Sequence, residues 1–376
     1  MGLNGRKLVL AALGGAVTPR IPVAPINWGY DYIWKVAGLQ PWQVAFGTAD
    51  TWHEARMAYL SRHDPDAVYY SGSGGRNQPI LLEEDESRWV IKDGDSGAVF
   101  DMRKDSLSIH AHGNRVSCDP PENAPTKENI DRLIPPERDG WGEAYLNGLA
   151  RLIEAAGDGT LVLPTPSPAY ILTCYTLGFY NAMELMLSDP DLFHYACRRM
   201  QMGEKRLMRQ LRDAGAEAVC ITDSWASCDV LSPKMVETFA LPYQHSINAA
   251  AHEAGLKTII WNCGNILPIL EAQAAVPSDG FLFEQPRKGA DITVDKVRKV
   301  YGPKRCLFGN LDAELLLLRN DPEEIKAAVL EQVRLSGPGA PFVLSTGSPL
   351  PSNVSVEAVD AIFEAARSLD GSLWNR

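Results

Sequence analysis

From about residue 150 onward the chain alternates short apolar runs, each ending in polar or small residues, with longer stretches of helical periodicity. Alternation on that scale predicts βα units feeding a parallel sheet. The predicted strands there are residues 161–163, 218–222, 257–261, 280–283, 305–308 and 342–344. The helices between them carry their own punctuation. Ser232-Pro233 and Asp321-Pro322 each open one, and Gly215 and Gly255 each close one just ahead of a strand. Two earlier apolar runs, at residues 21–24 and 67–70, bring the set to eight. Eight such strands favour an α/β fold of the closed TIM type, a (β/α)8 barrel in a single domain over residues 1–376. An open doubly wound sheet is the alternative.

The rhythm breaks between residues 83 and 136. Trp89-Val90-Ile91, then Lys92-Asp93-Gly94-Asp95, then Ala98-Val99-Phe100 read as a β-hairpin, and a Pro-rich connection follows. This stretch is predicted to be an insertion packed near the barrel mouth. Residues 7–17 are apolar but have a thin basic start and no cleavage motif after them, which predicts a short amphipathic helix in a cytoplasmic protein.

Charge and cysteine usage narrow the function classes. Thirty-six Lys and Arg against 47 Asp and Glu give a formal charge of -11, so the basic footprint of a nucleic-acid or anionic-membrane binder is missing. No apolar run approaches the roughly 18 to 20 residues that a membrane span needs. The seven cysteines, at 118, 174, 197, 220, 228, 263 and 306, are odd in number and scattered, which argues against a disulfide framework.

In a parallel barrel the residues just beyond the strands face the active site. Asp223, Cys263, Glu284 and Asp312 occupy such positions and are predicted to converge on one mouth, as metal ligands or as acid/base groups. For Asp223 and Asp312 the competing reading is a helix cap. Cys263 has polar and small flanks, Asn262 and Gly264-Asn265, unlike an inert buried thiol. Trp28, Tyr30, Trp34, Trp225 and Trp261 also fall at strand ends or in the loops after them, where rings would line a pocket for a flat substrate. His110-Ala111-His112 has ligand spacing but is expected at the surface, and the glycine run at residues 72–75 lacks the spacing of a phosphate loop.

The series Gly215-Ala216-Glu217-Ala218-Val219, Asp223-Ser224-Trp225-Ala226, Leu231-Ser232-Pro233, Leu241-Pro242-Tyr243, His252-Glu253-Ala254-Gly255-Leu256-Lys257, Cys263-Gly264-Asn265 and Phe308-Gly309-Asn310-Leu311-Asp312 resembles the uroporphyrinogen decarboxylase superfamily. The resemblance covers nearly the whole chain except the insertion, and it implies a TIM-type barrel. It also implies one of two chemistries, cofactor-free decarboxylation of a porphyrinogen or methyl transfer involving corrinoid proteins or thiols, usually with zinc. The decarboxylases carry an early arginine-rich segment, an Asp after the second strand, a Tyr, a Ser and a late His. Here the early segment is Asn27-Trp28-Gly29-Tyr30-Asp31, the Asp position falls at residues 71–73 and the His position near Thr346, so that only Tyr175 and Ser224 match. A substrate with many carboxylates needs cationic clamps, which this pattern lacks.

The family's thiol-directed methyltransferases bind zinc through an H-x-C pair and a late Cys. The pair reads Trp261-Asn262-Cys263 here and the late position reads Gly347-Ser348, so one of three ligands survives. A variant zinc set of Cys263 and Glu284 with Asp223 or Cys228 is the expectation that follows. The remaining resemblance is to members that demethylate small compounds such as aryl methyl ethers and pass the methyl to a corrinoid protein. It implies Asp223, Tyr175 and Glu284 as catalytic groups, and Trp28, Tyr30, Ser224, Trp225, Trp261, Asn265 and Asn310 around the substrate. The corrinoid would arrive on a partner protein, since the sequence has no D-x-H-x-x-G motif. A homodimer is compatible with this reading. The rivals are a decarboxylase-type lyase acting on a non-porphyrin acid and a silent barrel serving as a binding subunit.

Overall fold

The computed structural model describes residues 4–72, 74–112, 125–135, 140–286 and 289–369. Ser73, Cys118 and the middle of the insertion lie outside the described residues. Eleven strands are described: β1 (Ala67–Tyr70), β2 (Ile80–Glu84), β3 (Arg88–Lys92), β4 (Val99–Arg103), β5 (Ile109–Ala111), β6 (Leu161–Pro164), β7 (Ala218–Asp223), β8 (Lys257–Asn262), β9 (Gly280–Phe283), β10 (Cys306–Phe308) and β11 (Phe342–Val343).

β1 pairs in parallel with β6, and β7 through β11 form a five-stranded parallel sheet in chain order. Backbone hydrogen bonds join these pieces. The extended segment at residues 21–24 meets β11 through Ala24 N to Leu344 O at 2.9 Å and Leu344 N to Pro22 O at 2.8 Å. It meets β1 through Asp66 N to Val23 O at 2.9 Å, and Thr222 N donates to Pro166 O at 3.0 Å between β7 and the end of β6. The parallel segments therefore close into the eight-membered ring of a TIM barrel, as the apolar runs predict.

Side chains alternate across the wall with the period of two that a strand imposes. Tyr69, Leu163, Cys220, Ile259, Trp261, Leu282 and Phe308 fill the inside of the ring. Their neighbours Val68, Val162, Ile221, Ile260, Phe281 and Leu307 face the surrounding helices in a second, larger core. Each fully buried side chain of this size contributes about 1.5 to 3 kcal/mol. The N-terminal helix Gly5–Leu13, started by Asn4 accepting from Lys7 N, buries Val9, Ala12 and Leu13 in the inner cluster and plugs the end of the ring opposite the strand tips.

The insertion is larger than the single hairpin expected. β2, β3, β4 and β5 form a four-stranded antiparallel sheet that begins at Ile80. A lone hairpin cannot bury an apolar face by itself. The added strands let Trp89, Ile91, Met102 and Leu107 pack against Tyr30, Trp42 and Phe46. His110 and His112 are exposed on this sheet, as predicted, with His112 Nδ1 2.9 Å from Asp101 Oδ1. No helix among the described residues is long and apolar enough to cross a membrane.

Candidate active site

The strand tips of the ring bring Cys263 and Glu284 together. Each is the first residue beyond its strand, β8 and β9 respectively, and the side chains of both fall on the inner face. The Cys263 thiol donates to Glu284 Oε2 at 2.9 Å. Glu284 is fully buried, and its other oxygen accepts from Gln285 N at 3.2 Å and from the Ser348 hydroxyl. Gly264 N donates to Oε2 at 3.4 Å. A buried carboxylate is tolerable only with such a full set of donors.

Two glycines make this arrangement. Gly264 has φ +84°, and a Cβ there would stand 2.6 Å from Ser227 Oγ and 2.7 Å from Asp229 Oδ2. Gly347 lies directly on the backbone of Gln285, where a Cβ would collide with the amide nitrogen. That close approach seats Ser348 on Glu284. Ser348 is the partner of Glu284 that the sequence reading left out of the candidate site. Its signal was its place at the late ligand position of the resemblance.

Aromatic rings surround the pair. Trp28 packs edge-on against Trp261 at 4.9 Å and Tyr69 at 5.0 Å, and Cys263 packs against the same cluster. Trp261 Nε1 donates to Gly347 O at 3.4 Å. At the rim, the hydroxyls of Tyr175 and Ser224 are 3.0 Å apart, and Trp225 packs edge-on against Tyr175 and Phe179. Burial raises the Tyr175 pKa while its bond to Ser224 opposes the shift, and charge on Asp223, Cys174 and Cys263 raises it further.

Five expected site residues are placed elsewhere. Asp223 does not reach the mouth. It follows Val219 and Ile221 on the outward face of β7, so its carboxylate points into the helix layer, where Oδ2 accepts from Gln244 Nε2 at 2.9 Å. Gln244, Asn262 and Gln273 complete a fully buried polar cluster there, with Gln273 Nε2 bonded to Gln244 Oε1 at 2.7 Å and Asn262 Nδ2 to Gln273 Oε1 at 2.8 Å. Burial pushes the Asp223 pKa up to about 7, against the pull of Gln244. Asn310 has its amide spent on the backbone oxygens of Glu284 at 3.0 Å and Ile292 at 2.7 Å and on Gln332 at 2.9 Å. It therefore props the chain under Glu284 instead of touching a substrate. Asn265 accepts from Leu267 N at 3.2 Å and caps the following turn. The Tyr30 hydroxyl donates to Leu107 O at 3.3 Å and ties down the insertion. Asp312 accepts from Glu314 N at 2.9 Å and Leu315 N at 2.7 Å and holds the turn that leads into the helix Leu315–Arg319.

The expected zinc set is not assembled. Among the described residues no three His, Cys, Asp or Glu side chains gather as metal ligands. Cys263 and Glu284 supply two donors, Asp223 lies beyond the wall and Cys228 joins them in no group of three, whereas a catalytic zinc takes three protein ligands. The residues present do not fit that metal.

The closed (β/α)8 ring is a TIM barrel, with a thiol, a carboxylate and aromatic rings gathered at its strand tips. The family model for uroporphyrinogen decarboxylase (URO-D) matches residues 116–369, and the chain belongs to that family. It is 28% identical over 267 residues to a uroporphyrinogen decarboxylase of Crocosphaera subtropica, covering 67% of this chain and 70% of that protein. To the uroporphyrinogen decarboxylase of Dichelobacter nodosus it is 30% identical over 193 residues, 51% of this chain and 52% of the other. Among solved structures, a methyltransferase from Methanosarcina mazei superposes with a TM-score of 0.71 at 20% identity, covering 97% of this chain and 98% of that one. A B12-independent methionine synthase from Shewanella superposes at 0.51 with 8% identity, over 93% and 96%. At such identities the likeness is one of fold.

Proposed function

We propose that this chain is a methyltransferase that takes a methyl group from a small methylated compound, such as an aryl methyl ether, and delivers it to a corrinoid protein. The observation that carries the reading is the Cys263–Glu284 pair, bonded at 2.9 Å beside the rings of Trp28 and Trp261. A methyl ether is a poor electrophile. When its C–O bond breaks, the bond pair stays on oxygen, and that oxygen must take up a proton. Cys263 and Glu284 hold one proton between sulfur and carboxylate at the inner end of the mouth and serve as its source. Tyr175 has a raised pKa, so with Ser224 it holds the polar end of the substrate as a neutral hydrogen-bonding couple. Trp28 and Trp225, both half-buried, offer ring surface to a flat molecule and, with the buried Trp261 behind Trp28, keep water from the reacting carbon. A corrinoid bound to its own protein supplies the nucleophile that accepts the methyl.

Membership of the URO-D family supports an enzymatic role, and the likeness in fold to a methyltransferase favours this chemistry. The relatives named as decarboxylases favour the lyase reading instead, but a substrate with several carboxylates meets Asn27-Trp28-Gly29-Tyr30-Asp31 where cations are needed. Incubation with methylated ethers, amines and thioethers and free cob(I)alamin as acceptor separates the two. Methylation of the corrin from at least one compound is expected. Release of carbon dioxide from a carboxylic acid, with no methylation from any donor, would establish the lyase instead.

A further inference from the structure

A cavity of about 490 Å³ lies outside the ring, between helices Ala49–His63 and Glu143–Ala156 and the loop at residues 74–76. None of its lining residues belongs to the Cys263–Glu284 mouth. Arg56 reaches into it and is 5% exposed. Its guanidinium lies over the rings of Trp52 and Tyr70, each centroid 4.6 Å away. Nη2 is buried without a hydrogen-bond partner, and no carboxylate pairs with Arg56 among the described residues.

A lone buried cation is strongly disfavoured, and cation–π contacts offset only part of that cost. Burial lowers the Arg56 pKa to about 10, which still leaves it charged near neutral pH. Compensation from the rest of the cavity is absent. Arg76 and Arg151 also line it, so three arginines face two acids, Asp50 and Asp95, on a chain whose net charge is -11. Both acids are engaged: Asp50 by Arg151, and Asp95 by the backbone nitrogens of Arg76 at 2.8 Å and Asn77 at 2.9 Å. His53 is held toward its neutral form by burial and by the charges of Arg151 and Arg56. With aromatic rings packed on the guanidinium, its N–H edge is the part left to bind, and that edge matches a planar two-oxygen anion.

We infer that this cavity is a second ligand site, which binds a small carboxylate on the N–H edge of Arg56, with Ala144 and Leu152 against its apolar body. Titration calorimetry of the full chain with benzoate, succinate and inorganic phosphate tests it. One carboxylate is expected to bind once per chain. Its affinity falls tenfold or more in Arg56→Met and in Ala144→Leu, which narrows the cavity while keeping the arginine, and is unchanged in Cys263→Ala. If Arg56→Met does not fold, Ala144→Leu decides. Failure of both carboxylates to saturate at millimolar concentration, full affinity in the variants at 56 or 144, or loss in Cys263→Ala would overturn the inference. Arg56-dependent binding of phosphate alone would overturn its assignment to carboxylates.

Discussion

The thiol of Cys263 donates a hydrogen bond to Glu284 across 2.9 Å, joining the first residue beyond β8 to the first residue beyond β9. The carboxylate opposes a second negative charge on the adjacent sulfur. Glu284→Gln removes that opposition, so Cys263 should react with iodoacetamide about tenfold faster at pH 8. Mass spectrometry of the labelled peptides checks this. Cys174, Cys197, Cys220 and Cys306 are buried and stay unlabelled in the folded protein.

Asp223 gives a pH signature of its own. Its folded pKa, about 7, lies above the ordinary carboxylate value because the group is buried with Oδ1 unpartnered. The folded state therefore holds the proton more tightly than the unfolded state. The contribution to stability is full below about pH 4 and is lost as pH rises to about 7. Asp223→Asn should flatten that slope and be more stable than the parent by about 2 kcal/mol at pH 8, with no advantage at pH 4. Urea unfolding at the two pH values measures it.

Gly347 is predicted to tolerate no side chain. Gly347→Ala drives a methyl into the backbone of Gln285 and lifts Ser348 from Glu284, at a cost of about 2 to 4 kcal/mol. Thermal unfolding reads the loss. Ser348→Ala, which removes only the hydroxyl, should cost about 1 to 2 kcal/mol and keep the fold.

Metal content is a further check on the donor count. Protein purified without chelators should carry far less than one zinc per chain, and Cys263→Ala should leave that content unchanged. Stoichiometric zinc lost in that variant would show that the mouth recruits a third ligand.

The ring was legible in the sequence because its strands are buried on both faces and read as unbroken apolar runs, as at Leu161–Pro164 and Gly280–Phe283. The pairing of Cys263 with Glu284 followed from the same reading, since both stand one step past a strand. The misplacement of Asp223 shows the limit. It ends β7 itself, and only its parity relative to Val219 and Ile221, which face the helices, sends it outward. Parity is hard to read in a strand that is apolar on both sides. Asn265 and Asn310 were assigned by motif position, while Asn265 caps its own turn through Leu267 N and the Asn310 amide is consumed by the backbone oxygens of Glu284 and Ile292, which only the folded chain brings near. Arg56 carries no motif. It sits in a helix whose apolar periodicity is weak, and its burial depends on Trp52 and on Tyr70 from a neighbouring strand.

The most direct test of the central claim is a single turnover with a deuterium-labelled methyl ether that the protein demethylates, read by mass spectrometry of the corrin product. The account predicts labelled methyl on the corrin with the parent protein, slowed by about 100-fold or more in Glu284→Gln. Equal rates in parent and variant would contradict it, because the carboxyl bonded to Cys263 would then have no part in the transfer.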